Sequence, residues 1–103
     1  MSQSYVLTIY LYRPEPDLRY ELEDFLFDKF ETLPNPELIT WLGSGGFLDG
    51  SVQDIALTSD EPKEAFILLK AWLKEYGVPK DTEIALSESD GEKSEKFLIY
   101  END

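Results

Sequence analysis

Apolar and β-branched residues alternate from Tyr5 to Tyr12, with Leu7, Ile9 and Leu11 on one side and Val6, Thr8, Tyr10 and Tyr12 on the other. That period of two is the mark of a strand with one buried face. Arg13-Pro14-Glu15-Pro16 cannot continue the ladder, because proline has no N–H to donate. The period then changes. Leu18, Leu22, Phe25, Leu26 and Leu33 recur at helical spacing behind Asp17, a candidate N-cap, and predict a helix over about residues 17–32, ended by Pro34-Asn35-Pro36. Two strands are expected at residues 38–42 and 52–58. Ser59 or Asp60 is placed to cap a second helix with Pro62 in its first turn. Its apolar set is Ala65, Phe66, Leu68, Leu69, Trp72, Leu73 and Tyr76, and Gly77 with Pro79 closes it. Short strands at residues 82–86 and 96–100, joined through Asp90-Gly91, complete the pattern.

The order β-α-β-β-α-β with one further C-terminal strand predicts an α+β domain of the ferredoxin-like, split β-α-β kind: an antiparallel sheet with two helices on one face. Residues 1–103 are read as one such domain, and 42% apolar residues suffice for its core without disulfides. The chain has no histidine and no cysteine. Thiol nucleophiles and zinc–thiolate sites are therefore excluded, and the usual acid–base group near neutral pH is missing. No apolar run reaches membrane-spanning length, and Met1-Ser2-Gln3-Ser4 lacks the features of an export signal, so the expected location is the cytoplasm.

Between the two middle strands lies WLGSGGFLDGSVQDIAL, residues 41–57. A phosphate-cradling loop needs its glycines to lead into a helix with a lysine nearby, and neither follows here. Asp49, Ser51 and Asp54 offer three oxygens, but not at calcium-loop spacing. The stretch is expected to be a glycine-rich connection turned by Asp49-Gly50, with no cofactor and no metal. Its pattern G-x-G-G-F-L-D-G-S-x-x-D-I, from Gly43 to Ile55, resembles that of small bacterial proteins of no assigned activity and implies none here. Carboxylate pairs such as Asp49 with Asp54, or Glu15 with Asp17, are what 22 acidic residues produce by coincidence, so a non-enzymatic protein is expected.

Charge points to a partner. Nine basic against 22 acidic residues, a net of −13, opposes direct nucleic-acid binding and attracts a basic protein surface. At about 100° per residue, Asp17, Glu21, Asp24, Asp28 and Glu31 share one line of the first helix. Tyr20 and Phe27 flank that line on the side away from the main apolar face. Aromatics beside charge suit an interface anchor with a steering rim. Such a helix resembles, in type, those with which nuclease-inhibiting immunity proteins hold basic toxins, and the resemblance implies an inhibitor of a basic partner protein. The expected partner-binding set is therefore Asp17, Tyr20, Glu21, Asp24, Phe27, Asp28 and Glu31. Two alternatives stay open. Lys63, Lys70 and Lys74 line the second helix with Ile67 among them, which suits a homodimer or a small homo-oligomeric regulatory module whose glycine loop meets a small ligand or cation. The same acid line also suits a DNA mimic that inhibits a nucleic-acid-binding protein.

Overall fold

A computed structural model describes residues 5–15, 17–35, 37–46, 51–88 and 94–100. In chain order the elements are β1 (Tyr5–Tyr12), α1 (Leu18–Glu31), β2 (Thr40–Gly46), β3 (Val52–Ser59), α2 (Pro62–Tyr76), β4 (Glu83–Glu88) and β5 (Ser94–Leu98). The fold is α+β: a five-stranded antiparallel sheet in the order β2-β3-β1-β4-β5, with two helices.

The alternation in β1 does what its chemistry dictates. Leu7, Ile9 and Leu11 are fully buried; Leu7 and Ile9 align with Leu57 and Ile55 of β3 and with Leu86 and Ile84 of β4, and Leu11 aligns with Gln53 of β3. Leu22 and Leu26 of α1 and Ala65, Leu69, Trp72 and Leu73 of α2 complete the same core. Removal of each such side chain from water contributes about 1.5–3 kcal/mol. The helices lie side by side over this face, joined by Phe25 against Tyr76 (5.2 Å between ring centroids) and Phe30 against Trp72 (5.9 Å). The other face carries Val6, Thr8, Tyr10 and Tyr12 of β1, all partly exposed.

The helix ends follow local rules, with one adjustment. Asp17 is the N-cap residue of α1, but its side chain makes no capping bond. The helix α2 starts one residue later than an Asp60 cap implied and two later than a Ser59 cap: Glu61 is its N-cap, and the Ser59 hydroxyl accepts from the Glu61 N–H at 2.9 Å. Gly77 adopts the left-handed conformation (φ 90°) and donates its N–H to the Leu73 carbonyl at 3.0 Å, as expected for a terminating glycine.

The glycines of the central stretch depart from expectation. Gly43, Ser44, Gly45 and Gly46 belong to β2 rather than to a loop, and the register shifts by a bulge between Trp41 and Gly43. Backbone pairing with β3, not side-chain preference, holds them extended. Phe47, Leu48 and the Asp49-Gly50 turn lie outside the described residues, as does the Asp90-Gly91 turn. The last strand is displaced as well. β5 ends at Leu98, and Ile99 is buried beyond it, its N–H donating to the Thr82 carbonyl at 3.3 Å.

Only one glycine of β2 is sterically required. A Cβ on Gly46 would meet the Val52 carbonyl oxygen at 2.7 Å, whereas one on Gly43 meets nothing within 4 Å. Gly46→Ala is expected to lower stability by about 1–3 kcal/mol, the usual cost of overpacking against backbone. Gly43→Ala is expected to be neutral or slightly stabilising. Denaturant titration of both variants measures the difference.

Candidate functional site

All seven residues of the expected binding set are exposed and sit on α1 or its N-cap. Tyr20 is 60% exposed and Phe27 42%. Asp17, Glu21, Asp24, Asp28 and Glu31 point away from the core residues Leu22 and Leu26, because a helix that buries one face turns the opposite line to solvent. Glu21 is tied to the second helix, accepting from the Tyr76 hydroxyl at 3.3 Å. Burial raises the Tyr76 pKa, and the Glu21 charge and that hydrogen bond push it the same way. The Lys29 ammonium meets Glu75 at 2.7 Å, a second link between the helices.

Phe27 reaches beyond its own helix to the sheet. It packs on Trp41 of β2, with ring centroids 4.7 Å apart, and edge-on against Phe30 at 6.1 Å. The aromatic flank of α1 therefore continues onto the edge strand. Arg19 fastens the two elements: its guanidinium donates to the Gly45 carbonyl at 2.7 Å and lies over the Tyr20 ring at 4.9 Å. Glu23 stands 3.3 Å from Arg19 Nε, out of hydrogen-bond alignment, and neutralises it as an ion contact. Leu42, at the bulge, is 59% exposed on the same edge.

The surface is thus a line of carboxylates on the crest of α1, an aromatic shoulder of Tyr20, Phe27 and Trp41, and the outer edge of β2. The sequence pointed to the first and to two of the three residues of the second. Trp41, Leu42, Arg19 and the strand edge were missed, because membership of a surface that spans a helix and a strand depends on sheet order. The nearest available signal was the lack of any charged residue from Thr40 to Gly46.

Asp49, of the oxygen set Asp49, Ser51 and Asp54, lies outside the described residues. Ser51 uses its carbonyl to accept from the Arg13 N–H at 2.8 Å, where Arg13 holds a left-handed conformation (φ 49°). Among the described residues, no helix is long and apolar enough to cross a membrane. No protein-family model, curated protein or solved structure matches this chain.

On the open sheet face, the Tyr12 hydroxyl donates to the Glu83 carboxylate, Tyr10 stacks on Tyr12 at 6.4 Å, and Lys96 lies over Tyr10 at 5.1 Å. The hydrogen bond to Glu83 is the main cause of a Tyr12 pKa pushed up to about 12, with desolvation and the Glu83 charge adding to it. A raised pKa means that folding favours the protonated phenol. The resulting stability is fully present below the ordinary tyrosine value of about 10 and is lost as pH rises through about 12. Tyrosinate absorbance should therefore show late titration from Tyr12 as well as Tyr76, and Glu83→Gln should return the Tyr12 component toward the ordinary range. Loss of stability above about pH 10 should be shallower in Tyr12→Phe.

Proposed function

We propose that this chain is a non-enzymatic binding domain of the immunity or antitoxin type, which inhibits a basic partner protein by presenting α1 to it. The observation that carries this reading is the joint exposure of the acid line and of Tyr20 and Phe27 on one helix. Like charges at i,i+4 cost a few tenths of a kcal/mol each in an isolated helix. The helix dipole opposes Asp28 and Glu31 near the C-terminal end, so folding alone gives no reason to collect these acids there. A partner bearing Lys and Arg gives one: the acids steer its approach and the aromatics anchor it. The chain path supports reading the scaffold as the ferredoxin-like, split β-α-β arrangement, with β3 between β1 and β2 and with β5 added beside β4. We place the protein in the cytoplasm. A nucleic-acid-binding partner, met by DNA mimicry, is the variant of this reading that competition with DNA distinguishes.

A second reading has its own observation. Ile67 on α2 is 67% exposed between two clefts, a mixed one lined by Leu33, Leu38 and Leu68 together with Asn35, Glu61 and Glu64, and an apolar one lined by Phe66, Leu86 and Phe97. Lys63 and Lys70 lie on the same helix, so a second copy could set its acidic α1 against this α2. Light scattering on the purified chain separates the readings: a monomer at all concentrations rejects self-association.

The binding reading is tested by recovering partners from a lysate with the wild type and with Asp24→Lys/Asp28→Lys. The reversed chain is expected to lose the basic partner while keeping its fold, since both positions are exposed. Equal recovery by the two proteins would falsify the reading.

A further inference from the structure

We infer that β2 is a docking edge, onto which an extended segment of a basic partner adds as a further strand with alternating apolar and basic residues. The inference rests on the binding reading above and specifies how the partner is held. Among the described residues β2 is the last strand on its side of the sheet, bonded only to β3. Exposed edges are ordinarily blunted with lysine, proline or inward charge. The opposite edge, β5, carries Glu95 and Lys96, whereas Thr40–Gly46 has no charged residue and no proline. Two features guard it: the bulge after Trp41, which leaves Ser44, Gly45 and Gly46 in regular register with Ile55, Asp54 and Gln53, and the Arg19 guanidinium on the Gly45 carbonyl, a bond that an added strand would have to share or displace.

The glycines supply the second argument. Gly43 and Gly45 weaken a strand, yet neither has a left-handed φ and neither is crowded: a Cβ on Gly43 meets nothing, and one on Gly45 meets only Asp54 Oδ1 at 3.9 Å. The fold does not require them. Glycine inside a strand otherwise marks close approach by another chain. Here both align with open-face residues of β3, Gly43 with Ala56 and Gly45 with Asp54, so no side chain separates the β2 edge from the Asp54 carboxylate. A lysine or arginine on an added strand opposite Gly45 would cross the glycine to reach it. The opposite edge already makes such a crossing: Lys96 of β5, aligned with the small Ala85 of β4, extends over it to the Tyr10 ring of β1. Alternate residues of the added strand would face the helix side, against Phe27 and Trp41. Charge complementarity selects the occupant, because the net charge of −13 and the α1 carboxylates favour a basic segment. Main-chain bonding with alternate side-chain pockets is the ordinary mode of strand addition.

The probe is a short synthetic peptide alternating valine and lysine, titrated to millimolar concentration into the full chain. Amide hydrogen exchange is followed at residues 40–46. Two further peptides carry N-methyl groups on one or the other alternating set of nitrogens, which keeps the charge but removes donors from one side of the strand. The plain peptide is expected to protect β2 amides, and one methylated peptide should bind about tenfold or more weakly than the other. Asp54→Asn and Gly45→Val should each weaken binding by a similar factor with unchanged thermal unfolding, since neither site is crowded. Absence of protection at residues 40–46, or equal binding by all three peptides, overturns the inference. If that happens while Asp24→Lys/Asp28→Lys still loses the basic partner, strand addition is wrong and the binding reading stands. Equal partner recovery by that variant removes the binding reading itself, whatever the peptides do.

Discussion

The structure depends on β1. Among the described residues it alone is paired on both sides with the two strands that flank α2, and its Leu7, Ile9 and Leu11 are buried. A central strand that buries one face and leaves tyrosines on the other forces the two helices together onto the buried side. From that follow, among the described residues, a two-layer arrangement with one open sheet face and an edge strand on each side. Deleting a side chain such as Ile9 would cost both its transfer energy and a cavity shared by β3, β4 and the helices, so this is where the fold tolerates least.

The helical layer is held by packing more than by charge. Phe25 on Tyr76 and Phe30 on Trp72 join the helices through large, partly buried rings, while the exposed Lys29–Glu75 contact adds little in water. The consequence for function is rigidity. The acid line on α1 is presented from a helix fixed to α2 by aromatics and to β2 by Arg19 and by the Phe27–Trp41 contact. A surface held in this way is preorganised, so a partner of the proposed kind would pay little ordering entropy there.

How much of this could be read from the chain depends on how local each feature is. The strand β1, both helices and the Gly77 stop were legible because period two, period 3.6 and a left-handed glycine are short-range signals. The exposed α1 residues were legible for the same reason, since a helix that buries Leu22 and Leu26 fixes what lies opposite them. β2 was placed too early and too short, because Gly43, Gly45 and Gly46 have no strand preference of their own and are extended only by pairing with β3. The shift of β5 has a similar origin: Ile99 reads as one more strand residue, but it turns into the core behind Thr82. The continuity from α1 to the β2 edge was beyond reach, because it requires knowing that β2 is outermost in the sheet.

The proposed recognition surface is α1 together with the β2 edge. The most direct test is the amide-exchange footprint of the complex with a basic protein recovered by the wild-type chain. The account predicts slowed exchange at residues 18–31 and 40–46, weakening as salt is raised, with α2 and β5 unchanged. A footprint centred on α2 around Ile67, or on β5, would contradict it.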